Sequence, residues 1–188
     1  MKKALLLTAL LAAIGAAQAE PVTYKIDPNH TAVTFEAKHF GTSTLRGRWD
    51  KKEGSVTLDK AAKTGKVEFT IDMASITTGS TQFDGHLKSK DFFLVEEFPT
   101  AKFVGDKFTF NGDKVASVTG ELTLRGVTKP VTLTATNFNC YDNPMLKREV
   151  CGGDFDATIP RSQFGITYAP PVTPDAVRLL ITVEAVKQ

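Results

Sequence analysis

Between Val118 and Ala135 apolar and polar residues alternate with a period of two, interrupted once. Val118, Gly120, Leu122 and Leu124 alternate with Thr119, Glu121 and Thr123; beyond Arg125-Gly126-Val127, Val131, Leu133 and Ala135 alternate with Thr132, Thr134 and Thr136. Successive strand side chains point to opposite faces, so this stretch predicts two strands, each apolar on one side and polar on the other. The short break at Gly126 makes them antiparallel neighbours. Pro130 has no N–H for a ladder, which places it at a strand start or facing an edge. A sheet dry on one face must pack on something or close on itself. Closure into a barrel whose dry face surrounds a ligand is the expectation.

The same period recurs along the chain. Val33, Phe35 and Ala37 alternate with Thr34, Glu36 and Lys38; Val67, Phe69 and Ile71 with Lys66, Glu68 and Thr70; and Val177, Leu179, Ile181, Val183 and Ala185 with mostly polar neighbours. Shorter strands are expected at 22–26, 42–49, 55–58, 100–110 and 154–159, with the turn at Asn111-Gly112-Asp113 joining 100–110 to the hairpin that starts at Val118. Residues 136–153 hold the two cysteines and a loop at Asp142-Asn143-Pro144, and 160–174 is loop-like and proline-rich. Only Ser80–Lys90 departs from strand spacing. Phe83 and Leu87 are four apart, Asp84 and Lys88 form an i, i+4 pair, and Ser80 or Thr81 can cap the first turn, so one short helix is predicted there. With Phe92 and Phe93 it is placed to plug one end of a barrel. Many antiparallel strands and one helix fit a barrel or a sandwich, and periodicity alone does not separate them. Thirteen Phe against one Trp and three Tyr tip the choice weakly to a barrel of about eight strands with a dry lumen.

The first residues stand apart. Lys2 and Lys3 precede an apolar run to Ala17, and Ala17-Gln18-Ala19 is a small-x-small site. This is the pattern of a secretory signal peptide with cleavage expected after Ala19. Residues 20–188 then form one domain exported to the periplasm. Without Lys2 and Lys3 the 23 basic residues fall to the number of acidic ones, 21. A net charge near zero gives no footprint for nucleic acid. In an exported chain the pair Cys140 and Cys151 is expected to form a disulfide. Ten intervening residues and no nearby His make a poor metal site, and Cys-x-x-Cys redox spacing is absent.

No catalytic motif rises above background. His30, His39 and His86 have no helical or strand spacing to one another and no His-x-His or His-Glu-x-x-His partner. A hydrolase or metal enzyme using them is the alternative reading, beside a structural or interaction module with a filled core. Gly-x-Ser-x-Gly is missing, and Ser162 is not on a strand-to-helix elbow. Neither catalysis, a metal nor a cofactor is expected. Arg125, Lys129 and Arg161 lie near turns, where solvated charges are the default and contact with a ligand head group the sharper reading.

Four segments resemble the YceI family of exported polyisoprenoid-binding, lipocalin-like proteins. These are Tyr24-Lys25-Ile26-Asp27 with His30-Thr31-Ala32-Val33-Thr34-Phe35 and His39; Asp84-Gly85-His86-Leu87-Lys88-Ser89-Lys90-Asp91-Phe92-Phe93; Phe98-Pro99-Thr100-Ala101-Lys102-Phe103; and Gly120 to Leu133. Phe83 before the helix Asp and the Cys140–Cys151 loop depart from the family pattern. The resemblance implies an all-β, up-and-down barrel holding the isoprenoid tail of a quinone or polyprenyl phosphate, as carrier or store, without catalysis. Strand phase then assigns Phe35, Phe69, Ile71, Phe103, Leu122, Leu124, Leu133 and Ile181 to the lumen, with Phe92 and Phe93 closing one end. His30, His39, His86 and Arg161 are the candidates for the mouth and head group. Transient contact with a membrane or membrane protein is a further expectation, and monomer and homodimer both remain open.

Overall fold

The structure, a computed structural model, describes residues 20–188. The expected signal peptide, residues 1–19, lies outside the described residues. The strands are β1 (Val22–Ile26), β2 (Ala32–His39), β3 (Ser43–Trp49), β4 (Lys52–Asp59), β5 (Thr64–Asp72), β6 (Ile76–Thr77), β7 (Thr100–Asn111), β8 (Lys114–Leu124), β9 (Val127–Asn143), β10 (Arg148–Pro160) and β11 (Ala176–Lys187), with helix α1 (Thr81–Lys88) between β6 and β7.

Eleven strands make eight staves. β1 and β2 are one stave broken at residues 27–31: β11 pairs with β2 through Arg178–Thr182 and with β1 through Ala185–Lys187. β3 and β4 form the second stave, against β2 and β1 respectively. β5 and β6 form the third, broken by a 3-10 turn at Met73–Ser75. β7 to β11 then follow in order, every pair antiparallel, and β11 returns to the first stave. This is a closed up-and-down barrel, with open edges where staves separate near the upper end, at β6 and at Val127–Leu133 of β9.

Connections alternate between two ends. The upper end carries the turn after β2, the α1 connection, the β8–β9 turn and residues 161–175. The lower end carries the turns at 60–63, 112–113 and 144–147. The β8–β9 turn is two residues, Arg125 (φ 50°) and Gly126 (φ 72°). Both lie in the left-handed region that a type I′ hairpin turn requires. Arg125 tolerates it while its guanidinium donates to the carbonyls of Lys90 and Gly165, tying three upper connections together.

Side chains sort as the alternation dictates. Val33, Phe35, Phe103, Val118, Leu124, Val131 and Phe155 are buried inside. The outer wall is polar: Thr119–Thr132 and Thr123–Thr128 hydroxyl pairs stand 2.7 and 2.8 Å apart, and Arg46 meets Glu36 at 2.7 Å. A barrel that spans a bilayer carries an apolar band outside. Here the oily face points inward.

Two local expectations need adjustment, and a third resolves between its two alternatives. The helix is shorter than Ser80–Lys90, because Ser80 accepts from the Phe83 amide as N-cap and Ser89 ends it. Residues 136–153 are mostly strand, since β9 and β10 run on to the turn at 144–147. The period breaks because the β9–β10 register shifts at Asp154/Phe155, a bulge that leaves Thr136 and Asn137 both outside. Pro130 takes the second of its two expected places: it sits within β9 and faces an open edge. Its stretch, Val127–Leu133, pairs with β8 only, so the missing N–H costs no second ladder.

Candidate functional site

The interior holds two chambers that share Leu179 as a wall residue. The lower chamber has a volume of about 130 Å³ and the upper about 420 Å³. Drug-sized ligand sites run from ~300 Å³ upward. The upper space therefore admits a compact group, while the lower one suits a thin chain.

The lower chamber is hydrocarbon almost throughout. Phe69, Ile71, Phe103, Leu122, Leu133 and Ile181 line it, as strand phase anticipated. Most of these are only half-buried although they face inward and pack against the core, so part of each borders open interior space. Tyr24 supplies a hydroxyl at the lower end. It is 1 % exposed and donates to Glu149, which also receives Lys60 at 2.6 Å. Burial, then the Glu149 carboxylate, raises the Tyr24 pKa well above its ordinary value, which keeps the phenol neutral. Burial pushes Glu149 the other way, but hydrogen bonds from Lys60 and Tyr24 outweigh it and hold the carboxyl below its usual range. Cys140 and Cys151 face each other across β9 and β10 and are bonded, with Cys151 lining the chamber. Cys140, Glu149 and Cys151 are the one close grouping of metal-type ligand atoms among the described residues. Its sulfurs are committed to the disulfide, so they offer no thiolate.

The upper chamber is aromatic. Phe35, Phe92, Phe93 and Leu124 belong here rather than in the lower tube, together with Trp49, Phe83 and Leu87. The Trp49 ring lies 5.4 Å from Phe35 and 5.7 Å from Phe93. At the rim His86, Phe92 and Tyr168 meet edge to face at 5.0–5.5 Å. His86 Nε2 also lies 3.4 Å from the Asp91 carboxylate. His39 lines the chamber beside the exposed Phe40.

The four head-group candidates divide. His39 and His86 are at the mouth. His30 is not: it lies in the break between β1 and β2, lines neither chamber, and its Nδ1 meets Asp27 at 2.7 Å. That hydrogen bond raises the His30 pKa and lowers that of Asp27. Asp27-Pro28-Asn29 has turn-forming composition and does interrupt the strand, but the interruption is partway down the wall. Arg161 lines the upper chamber but is 6 % exposed and already engaged. Its Nε, Nη1 and Nη2 donate to the carbonyls of Pro174, Ile166 and Thr173 at 3.1, 3.1 and 2.9 Å. It braces the 161–175 connection instead of reaching out to a ligand.

Sequence reasoning missed Tyr24, Trp49, Ile166, Tyr168 and Leu179 as lining residues. Leu179 was available from the β11 alternation, and Tyr24 and Trp49 from the phase of β1 and β3. Ile166 and Tyr168 sit in a proline-rich connection with no period, so nothing local marked them.

Wall, plug and inward-facing oil define a lipocalin-like barrel with an internal apolar site. The chain belongs to the YceI family: residues 24–185 match the YceI-like domain. A UPF0312 protein of Pseudomonas aeruginosa (strain LESB58) is 39 % identical over 192 residues, covering all of both chains. Burkholderia cenocepacia BcnA superposes with a TM-score of 0.71 at 25 % identity, covering 85 % of this chain and 99 % of that one. A polyisoprenoid binding domain from Saccharophagus degradans shares the fold, with a TM-score of 0.63 at 13 % identity over 89 % and 99 % of the two chains.

Proposed function

We propose that this protein binds a long isoprenoid lipid, of the quinone or polyprenyl phosphate type, as a carrier or store in the periplasm. The carrying observation is the pair of chambers that share Leu179 as a wall residue: a thin hydrocarbon tube below and a wider aromatic space above. An isoprenoid tail offers only apolar surface, and its removal from water contributes roughly 25 cal/mol per Å² before ordering costs. The tail occupies the lower tube and the head lies in the upper space beneath α1. Exposed Phe40 and Tyr168 at that mouth support transient contact with a membrane during loading. Catalysis has no part in this reading.

A chain-length series tests it. Polyprenols of increasing length are titrated into delipidated protein by calorimetry. Each added five-carbon unit should improve affinity by on the order of 1–3 kcal/mol until the chambers are full, after which affinity levels off. Affinity indifferent to chain length would remove the reading.

A further inference from the structure

The turn between β9 and β10, at the end away from the mouth, is oily where the rest of the outer surface is polar. Met145 is 87 % exposed and Leu146 50 %, with Tyr141 beside them at 42 %. Exposed apolar side chains gathered at one point mark a contact site, whereas scattered ones do not. The turn is held in one shape. Asn143 Oδ1 accepts from the Met145 and Leu146 amides, each at 3.0 Å, and the Asn143 carbonyl accepts from the Lys147 amide at 2.8 Å. The Cys140–Cys151 bond ties the two strands together at the base. The hairpin also stands out from the ring: Ala135–Asn143 pairs with β10 alone, and Arg148 and Glu149 lie past the last β10–β11 pair, Val150 with Val186. A connection with no further role would carry small or polar side chains at its tip, as the turns at 60–63 and 112–113 do.

Charge decides what the tip meets. Each of the three lower turns ends on or runs into an exposed lysine, Lys63, Lys114 and Lys147, and Arg148 follows the last of them. None of these four cations has a carboxylate partner among the described residues. Of the carboxylates at this end, Glu149 is held by Tyr24 and Lys60, and Asp59 is buried and accepts from the Ala62 amide, which leaves Asp113 and Asp142 in solvent. Unpaired cations spread over three turns around a projecting apolar pair fit a broad anionic plane rather than a pocket. Two side chains also bury far less than the roughly 1,200 Å² that a stable protein complex needs. Set among acyl chains, the same two side chains add to the attraction between the cations and lipid phosphates. We propose that the β9–β10 turn is a docking tip for an anionic phospholipid bilayer, with Met145 and Leu146 entering the interface and Lys63, Lys114, Lys147 and Arg148 meeting the head groups. A barrel docked this way turns its mouth away from that bilayer and leaves it open to another surface. The docking does not depend on what fills the interior.

The test sediments the purified protein with vesicles of phosphatidylethanolamine containing a quarter phosphatidylglycerol, and separately with vesicles of phosphatidylcholine. Binding is expected to the first and not the second, and half-molar salt should release it. Replacing Met145 and Leu146 together by Ser weakens binding about 10- to 100-fold. Replacing Lys147 and Arg148 together by Ser weakens it about 5-fold per charge. Both double variants should keep the parent's urea melt and its uptake of farnesol, so loss of docking is read apart from loss of the interior site. Brominated acyl chains give the orientation: they should quench the emission of Leu146→Trp beyond that of the parent, whose only tryptophan, Trp49, lines the upper chamber. Equal binding to both kinds of vesicle, or binding unchanged in the Met145/Leu146 variant, overturns the proposal. Quenching of the parent with no added quenching in Leu146→Trp means that the mouth meets the bilayer, and overturns it too. Retention on polyglutamate beads without binding to anionic vesicles would make the tip a site for an acidic protein and rule out the lipid surface.

Discussion

Replacing Arg161 by Met separates a structural brace from a head-group ligand. The side chain keeps its length and loses every donor. Three carbonyls lose their partners: Ile166, whose bond is buried, and Pro174 and Thr173, whose bonds are partly so. Leaving the buried carbonyl unmet costs about 1–3 kcal/mol, and each of the other two, which water can reach, about 0.5–1 kcal/mol. Some of this is offset, because burial disfavours the guanidinium's charge and pulls its pKa down, with Asp175 only partly compensating. The net loss expected is about 2–4 kcal/mol, measured by equilibrium urea unfolding at pH 7. For a domain of this size that is a fall in Tm of roughly 5–15 °C. The 161–175 connection carries Ile166, Tyr168 and Val172 into the upper chamber. Lipid affinity should therefore fall as well, equally for farnesol and farnesyl phosphate. A stability loss under about 0.5 kcal/mol, with a selective loss of farnesyl phosphate, would refute the reasoning and return Arg161 to the head group.

Further outcomes follow from the same contacts. Leu179→Trp adds bulk at the wall residue that both chambers share; excluding one five-carbon unit, at about 1–3 kcal/mol after ordering costs, weakens long polyprenols by roughly 5- to 150-fold. Two-unit prenols change little in the same titration, and equal loss for both lengths would contradict a through passage. The folded-state pKa of Glu149 is lowered, so its contribution is present above the unfolded carboxylate value of ~4.3 and is lost as pH falls through the folded one. Glu149→Gln is thus less stable than the parent by about 1–2 kcal/mol at pH 7, and the gap closes in urea melts below pH 4; a gap constant with pH contradicts the assignment. Replacing Cys140 and Cys151 together by Ser removes a cross-link that closes a loop of about 12 residues and should cost ~3 kcal/mol by the same melts. A loss under about 0.5 kcal/mol would mean that the hairpin register alone holds the lower end.

The wall was legible because burial on one face forces a period of two. All eight lumen positions taken from strand phase face the interior, and Phe92 and Phe93 lie under the rim. Three features escaped. The stave breaks at 27–31 and 50–51 were hidden, since a local pattern does not say whether the next strand reverses or continues; the turn expected at Lys52-Glu53-Gly54 lies inside β4. That ambiguity sent His30 to the mouth when it belongs in the wall. The β9 bulge erased alternation around the cysteines. Division of the interior into an aromatic and an aliphatic chamber depends on which connection folds over which end, and residues 161–175 carry no periodic signal. Arg161 was visible as a charge near a turn, but its three carbonyl partners are backbone atoms that no sequence motif advertises.

The most direct test is to purify the protein under native conditions and identify by mass spectrometry what an organic solvent extracts from it. The expected result is an isoprenoid lipid at close to one molecule per barrel, depleted in Leu179→Trp. Extracts that hold no lipid over repeated preparations, or only phospholipid in the proportions of the surrounding membrane, would contradict an interior built for a terpenoid chain.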